Sequence, residues 1–247
     1  MLRDHPTGSY RFLPGISAFS SGVIAMPGHE IVHATLGAPL PWRDGFALVE
    51  RHLRAQGRTR TALCGVELRS PAPFTFDGFA KFNEGYRALL GEWDILVGDD
   101  NPIPRTNVAP VIAAPGEPSL YAFAYTIGGT TPAPTFVVAG AGEMRDRAQG
   151  ADGIVRRGDT SPDGMREKAR FVMNVMQERM RALGADWRRA TAIDVYTAQP
   201  IHDYLDDFLR PAGPAAIHGV RWFPSRPPIQ GLEFEVDLRG VARELVL

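Results

Sequence analysis

The sequence predicts an α+β sandwich built twice over, each half a mixed sheet with two helices packed on one face. Three observations predict it. Apolar residues make up 44 % of the 247 positions, enough for a sizeable core. The 26 glycines and 21 prolines divide the chain into short elements rather than the long helices of a bundle. The order strand pair, helix, strand, helix, strand, strand runs through residues 1–130 and again through 131–247. The short segment 128–134 (GGTTPAP) marks the boundary between these two domains.

In the first half, residues 15–26 read as a strand that bends or packs tightly at Gly22, with residues 31–36 returning beside it. Residues 44–56 form a helix whose stripe is Phe46, Val49 and Leu53, ended by Gly57. Residues 61–68 alternate as a strand, with Ala62, Cys64 and Val66 facing one way. Residues 75–90 form a second helix, with Phe79, Phe82 and Tyr86 on one side. Strands follow over 105–113 and 119–127, the latter with aromatics at every second position: Tyr121, Phe123 and Tyr125.

The second half opens with a strand over 136–140 and a hairpin partner over 153–157. A long helix runs from Pro162 to Leu183, lined on one face by Met165, Ala169, Val172, Met173, Met176 and Met180 and capped by Gly184. That methionine stripe suits a core or a subunit interface. A strand over 189–196, a short helix over 201–209 and strands over 215–222 and 232–238 complete it. A sheet with both helices on one face leaves the other bare, so another copy or another subunit must cover it.

Lys and Arg total 27 against 28 Asp and Glu, a net charge of −1. No strong field draws this chain toward nucleic acid or an anionic membrane. No apolar run reaches membrane-spanning length, and residues 1–9 do not form a signal peptide, so a cytoplasmic location is expected. Cys64, the single cysteine, excludes an intrachain disulfide and reads as a small buried filler. His29 and His33 lack an acidic partner at ligand spacing, and neither a phosphate loop nor a dinucleotide fingerprint is present. The expectation is no metal and no cofactor.

Pro104-Arg105-Thr106 opens the penultimate strand of the first half, Ser21-Gly22 lies on its first strand, and Asn83 and Tyr86 lie on its second helix. Glu233-Phe234-Glu235-Val236 forms the last strand of the second half, where Ala139-Gly140 stands in place of Ser-Gly. With these residues in this order, the chain resembles the Rid (YjgF-like) superfamily of enamine and imine deaminases over nearly its whole length. Among two-copy chains it looks most like the 2-aminomuconate deaminases of aromatic degradation, including the type acting on 2-amino-5-chloromuconate. The resemblance implies a chorismate-mutase-like fold, a homotrimer and sites between adjacent domains. It also exposes a departure. The first half has Arg105 but Tyr121 where the acid would stand, while the second has Glu233 but His218 near the arginine position. A site pairing Arg105 with Glu233 across the halves is therefore expected, unless one half works with altered chemistry.

The residue chemistry supports such a site. A guanidinium grips a substrate carboxylate through two parallel hydrogen bonds, and Arg105 is the candidate. Glu233 is the candidate water holder, since loss of ammonia from an imine needs a positioned water and a proton path. Strand alternation puts Glu233, Glu235 and Asp237 on one face. His218 is a candidate for a second carboxylate or a proton relay, with Arg221 and Arg226 as alternatives. Tyr121 could donate its hydroxyl or pack in the core. Ser21 and Gly22 could floor the cleft or simply pack, and Asn83 could bind substrate or brace a loop. The expected reaction is hydrolytic deamination of a small carboxylate-bearing enamine of the 2-aminomuconate type. The rivals are a broad deaminase of 2-aminoacrylate-like intermediates and a trimeric carboxylate-binding protein without activity.

Overall fold

The computed structural model describes residues 1–247, apart from the side chains of residues 147 and 148. The first half contains β1 (Arg3–Asp4), β2 (Tyr10–Leu13), β3 (Gly22–Ala25), β4 (His29–Pro41), α1 (Trp42–Ala55), β5 (Leu63–Arg69), α2 (Phe76–Glu92), β6 (Arg105–Pro110) and β7 (Ser119–Gly128). The second contains β8 (Phe136–Gly142), α3 (Pro162–Leu183), β9 (Ala192–Tyr196), α4 (Leu205–Leu209), β10 (Arg221–Phe223), β11 (Ser225–Arg226), β12 (Glu235–Gly240) and β13 (Arg243–Val246). The result is an α+β fold with two mixed sheets, ordered β1-β2-β3-β8-β12-β9-β10 and β11-β6-β5-β7-β4-β13. The run β8-β12-β9-β10 in one sheet has the same pairing order as β4-β7-β5-β6 in the other, parallel only between its last two strands.

The two longest helices, α2 and α3, form where the sequence offers both a cap and a stripe. Thr75 Oγ1 accepts from Gly78 N at the start of α2, and Ser161 Oγ accepts from Gly164 N at the start of α3. Gly184, at φ 74°, takes the left-handed position that ends α3. α1 buries Phe46, Val49 and Leu53, and α2 buries Tyr86, Leu89 and Leu90 in the same core against β4, β5 and β7. The methionines of α3 pack on Val138, Val195, Val236 and Leu238 of the other sheet, so the stripe is core. No helix among the described residues is long and apolar enough to cross a membrane.

Four local expectations are corrected. Residues 15–36 do not form a hairpin: β3 pairs with β2 and β8, whereas β4 pairs with β7 and β13. Gly28, at φ 79°, turns the chain from one sheet into the other, and Thr135 bridges the gap by accepting from Ala25 N and Ile31 N. Residues 153–157 contribute only an isolated Met144–Ile154 bridge, because β3 and β12 already occupy both edges of β8. Residues 210–218 are a 3-10 turn broken at Gly213 and punctuated by Pro211 and Pro214, so that strand begins only at Arg221. The third strand of the second half likewise starts late, because Asp186 caps a 3-10 turn over Trp187–Arg189.

The bare face of each sheet is covered by the other sheet of the same chain. Glu67 and Arg69 of β5 meet Asp194 and Tyr196 of β9 and Asp237 and Arg239 of β12 between the sheets. The sheets also exchange their ends. Strands β1 to β3 extend the sheet of the second half, and β11 and β13 extend that of the first.

Candidate active site

β6 runs parallel to β5, with Arg105 opposite Val66, and Arg105 lines the space shared with residues of the other sheet. Arg105 is buried, and its Nη2 donates to Asn83 Oδ1 at 2.6 Å. The guanidinium carbon lies 4.6 Å from the ring centroid of Tyr86, 5.1 Å from Phe19 and 5.5 Å from both Phe79 and Phe82. This aromatic cage keeps water away, so a carboxylate meeting Arg105 is held more tightly than it would be in solvent.

The cleft beside Arg105 is closed on its far side by the other half. Glu235, the first residue of β12, lines it together with Arg179 of α3, and Phe19, Phe79 and Ile229 form apolar walls. Gly140 makes room for this acid. A Cβ on Gly140 would strike Glu235 Oε1 and lie 3.1 Å from Thr106 Oγ1. The entry of β12 is pinned by Glu143, whose two oxygens accept from Glu233 N at 2.7 Å and Phe234 N at 3.0 Å. Glu143 in turn accepts from the buried Lys168 at 3.1 Å. Burial pushes the Glu143 carboxyl up, against the opposing pull of Lys168.

Asn83 braces the guanidinium from α2 without lining the cleft, and Arg105 itself stands in the cleft. Glu233 does not: it precedes β12, and its carboxylate accepts from Gln199 Nε2 at 3.2 Å outside the cleft. The acid at the cleft is Glu235, two residues on. Tyr121 lies in a different cavity with Phe223, its ring 3.9 Å beneath the Arg69 guanidinium. His218 is exposed at the end of its 3-10 turn, away from the cleft. Ser21 Oγ donates to the Pro14 carbonyl, and Gly22 is wedged against β8 and Leu183, so both pack rather than line the cleft. Glu235, Gly140, Arg179 and Asn107 are among the cleft residues that sequence reasoning did not select. The Glu-x-Glu pair pointed to the right strand, but nothing marked Arg179 among the many arginines.

Behind the cleft lies a charged layer. His33 Nε2 sits 2.7 Å from Glu67 Oε1, and Arg239 Nη1 lies 3.9 Å from Glu67 and 2.8 Å from Asp194. Arg221 Nε adds a 2.6 Å bond to Asp194. Asp237 accepts from Thr106 Oγ1 at 2.5 Å and Tyr196 Oη at 3.0 Å. Burial opposes ionisation of Glu67, but the His33 hydrogen bond and the charges of His33, Arg239 and Arg69 outweigh it and hold the carboxyl at about 2. Burial, reinforced by the charge of Glu67, raises Asp194 to about 6 against the pull of Arg239. Burial and both neighbouring carboxylates push Asp237 well above the usual range. Oxygens of Glu67, Asp194 and Asp237 lie within 4.8 Å of one another, close enough to hold a cation, but Arg239 already bridges the first two. Cys64 is buried in β5, and burial pushes its thiol up.

The family model described as 2-aminomuconate deaminase CnbZ matches residues 2–245. A 2-amino-5-chloromuconate deaminase from Comamonas testosteroni is 43 % identical over 243 residues, covering 97 % of this chain and 96 % of that protein. Among solved structures, a chorismatase shares the fold at a TM-score of 0.50 and 15 % identity, over 90 % of this chain and 77 % of its own. With a family model spanning almost its full length and a close relative matched end to end, this chain belongs to the 2-aminomuconate deaminase family of the Rid superfamily.

Proposed function

We propose that this protein hydrolytically deaminates a 2-aminomuconate-type enamine dicarboxylate and releases ammonia, the 5-chloro form being the variant named for its relative. One observation carries the reading: Arg105 and Glu235, from opposite halves of the chain, line the same cleft. The enamine takes a proton from solvent at C3 and becomes the C2 iminium. Arg105 grips the C1 carboxylate and so fixes the carbon to be attacked. Glu235 accepts a proton as water adds to C2. It returns that proton to nitrogen as the C–N bond breaks, and the new hydroxyl at C2 gives its own proton back to solvent, leaving a 2-oxo acid and ammonia. The two halves, 1–130 and 131–247, are duplicated domains with exchanged edge strands, a reading supported by their common pairing order. Both groups belong to one chain.

The test is ammonia release from freshly generated 2-aminomuconate, with 2-aminoacrylate alongside. The wild type should turn over the muconate faster, and Arg105→Ala should lose most of that rate while melting like the wild type. Faster turnover of 2-aminoacrylate would favour the broad deaminase. Tight carboxylate binding without ammonia from either would overturn the enzymatic reading.

A further inference from the structure

The deamination steps leave Asn107 of β6 unused, although it lines the cleft. It stands two residues beyond Arg105, so strand alternation puts the two side chains on one face. Asn107 is 3 % exposed, and the fully buried Ser70, just past β5, donates its hydroxyl to Oδ1 at 2.8 Å. That bond holds the amide in one orientation and leaves Nδ2 as the end for a ligand. Nδ2 is itself buried and donates to no acceptor among the described residues. Such a donor is costly to keep, and a ligand that brings it an acceptor recovers the cost.

The substrate offers that acceptor late. In the enamine the nitrogen lone pair is drawn into the conjugated chain, and in the iminium it is spent in the C=N bond. C2 gains an acceptor only when the oxygen of water joins it, and that oxygen stays as the carbonyl of the 2-oxo acid. Arg105, which holds the neighbouring carboxylate, and Glu235, which handles the water, line the same cleft as Asn107. A donor satisfied only once the oxygen arrives favours the transition state over the substrate.

We propose that the Asn107 amide donates to the oxygen that forms on C2, with Ser70 as its positioning residue. This rests on the deaminase reading for its substrate, but its binding test does not depend on turnover. The probes are 2-oxoadipate and adipate, six-carbon dicarboxylates that differ only in an oxygen at C2. Binding is measured by calorimetry on the full chain. The wild type should prefer 2-oxoadipate. Asn107→Leu should weaken 2-oxoadipate about three- to tenfold, the usual worth of one hydrogen bond, and leave adipate nearly unchanged. Asn107→Leu combined with Ser70→Ala strands no buried hydroxyl, so it guards against misfolding and should show the same contrast. Ser70→Ala alone frees the amide to turn and should show a smaller loss of the same kind. In turnover, Asn107→Leu should lower kcat by a similar factor with KM nearly unchanged. Equal losses for both probes would mean that Asn107 serves a carboxylate or the fold, and would overturn the proposal. An unchanged preference, a wild type that does not prefer 2-oxoadipate, or a raised KM with normal kcat would overturn it too. Absence of ammonia release with the binding contrast intact would instead remove the deaminase reading and leave the donor to a 2-oxo group standing.

Discussion

The Thr106 hydroxyl donates to Asp237 at 2.5 Å, and this one bond ties the strand that begins with Arg105 to the strand that begins with Glu235. Each partner is one or two residues from a cleft residue, so the bond sets the spacing between guanidinium and acid. Thr106→Val keeps the shape and removes the bond, leaving Asp237 only the Tyr196 hydroxyl. The loss should cost about 1–3 kcal/mol in urea unfolding. It should lower kcat more than it raises KM, because the acid drifts while the carboxylate grip stays. A variant with normal kcat would show that the spacing is set elsewhere.

The two acids of the Glu-x-Glu pair should separate cleanly. Glu235→Gln should reduce ammonia release by about 10²- to 10⁴-fold, the usual contribution of a positioned acid–base group. Glu233→Gln leaves the cleft untouched, because that carboxylate faces Gln199, and should cost no more than a few-fold. Equal losses in the two variants would contradict the placement of Glu235 as the working acid.

That distinction marks the limit of what the residues alone disclose. The bounds of α3 were legible, since Pro162, the methionine stripe and Gly184 all point to one helix. The aromatic alternation of β7 was equally plain. Arg105 stood out because Pro104 and Thr106 flank it. Glu233 and Glu235 share a parity, however, so alternation cannot choose between them. The choice is made by where β12 begins, which depends on the buried Glu143 reaching two backbone amides. Strand partners were hidden for a similar reason. An apolar run such as 22–25 shows that it is a strand, but its pairing with β8 follows from a turn at Gly28 that carries the chain across the sandwich.

Two glycines should fail in different ways when given a methyl group. At Gly140 the new Cβ meets the mobile end of Glu235, so the fold can yield by moving that carboxylate. Gly140→Ala should melt close to the wild type and lose about 10²-fold in kcat, the cost of a misplacement near 1 Å. At Gly22 the Cβ meets the Val137 carbonyl at 2.8 Å and Leu183 Cδ1 at 2.9 Å. Gly22→Ala should therefore destabilise by about 1–3 kcal/mol, with the folded fraction still active. Calorimetry and steady-state rates on both variants check the contrast, and inactivity of folded Gly22→Ala would place that strand nearer the chemistry.

The charged layer between the sheets makes stability fall on both sides of a mildly acidic optimum. Glu67, held at about 2 against an ordinary 4.5, is charged in the folded chain when the unfolded chain has taken up a proton. Its contribution is complete above about pH 4.5 and is lost as pH drops toward 2. Asp194 behaves in the opposite way. With its carboxyl at about 6 against an ordinary 3.8, the folded chain keeps a proton that the unfolded chain has released, so stability declines as pH rises between those values. Asp237, raised further by burial and by its two anionic neighbours, extends that decline upward. The Tm should peak near pH 4–5 and fall toward pH 8. Asp237→Asn keeps an acceptor for Thr106 and Tyr196 but has no proton to lose. It should melt above the wild type at pH 8, with the difference shrinking as the buffer approaches pH 4. A difference that stays constant across thermal melts at pH 4, 6 and 8 would show that Asp237 does not carry this part of the slope.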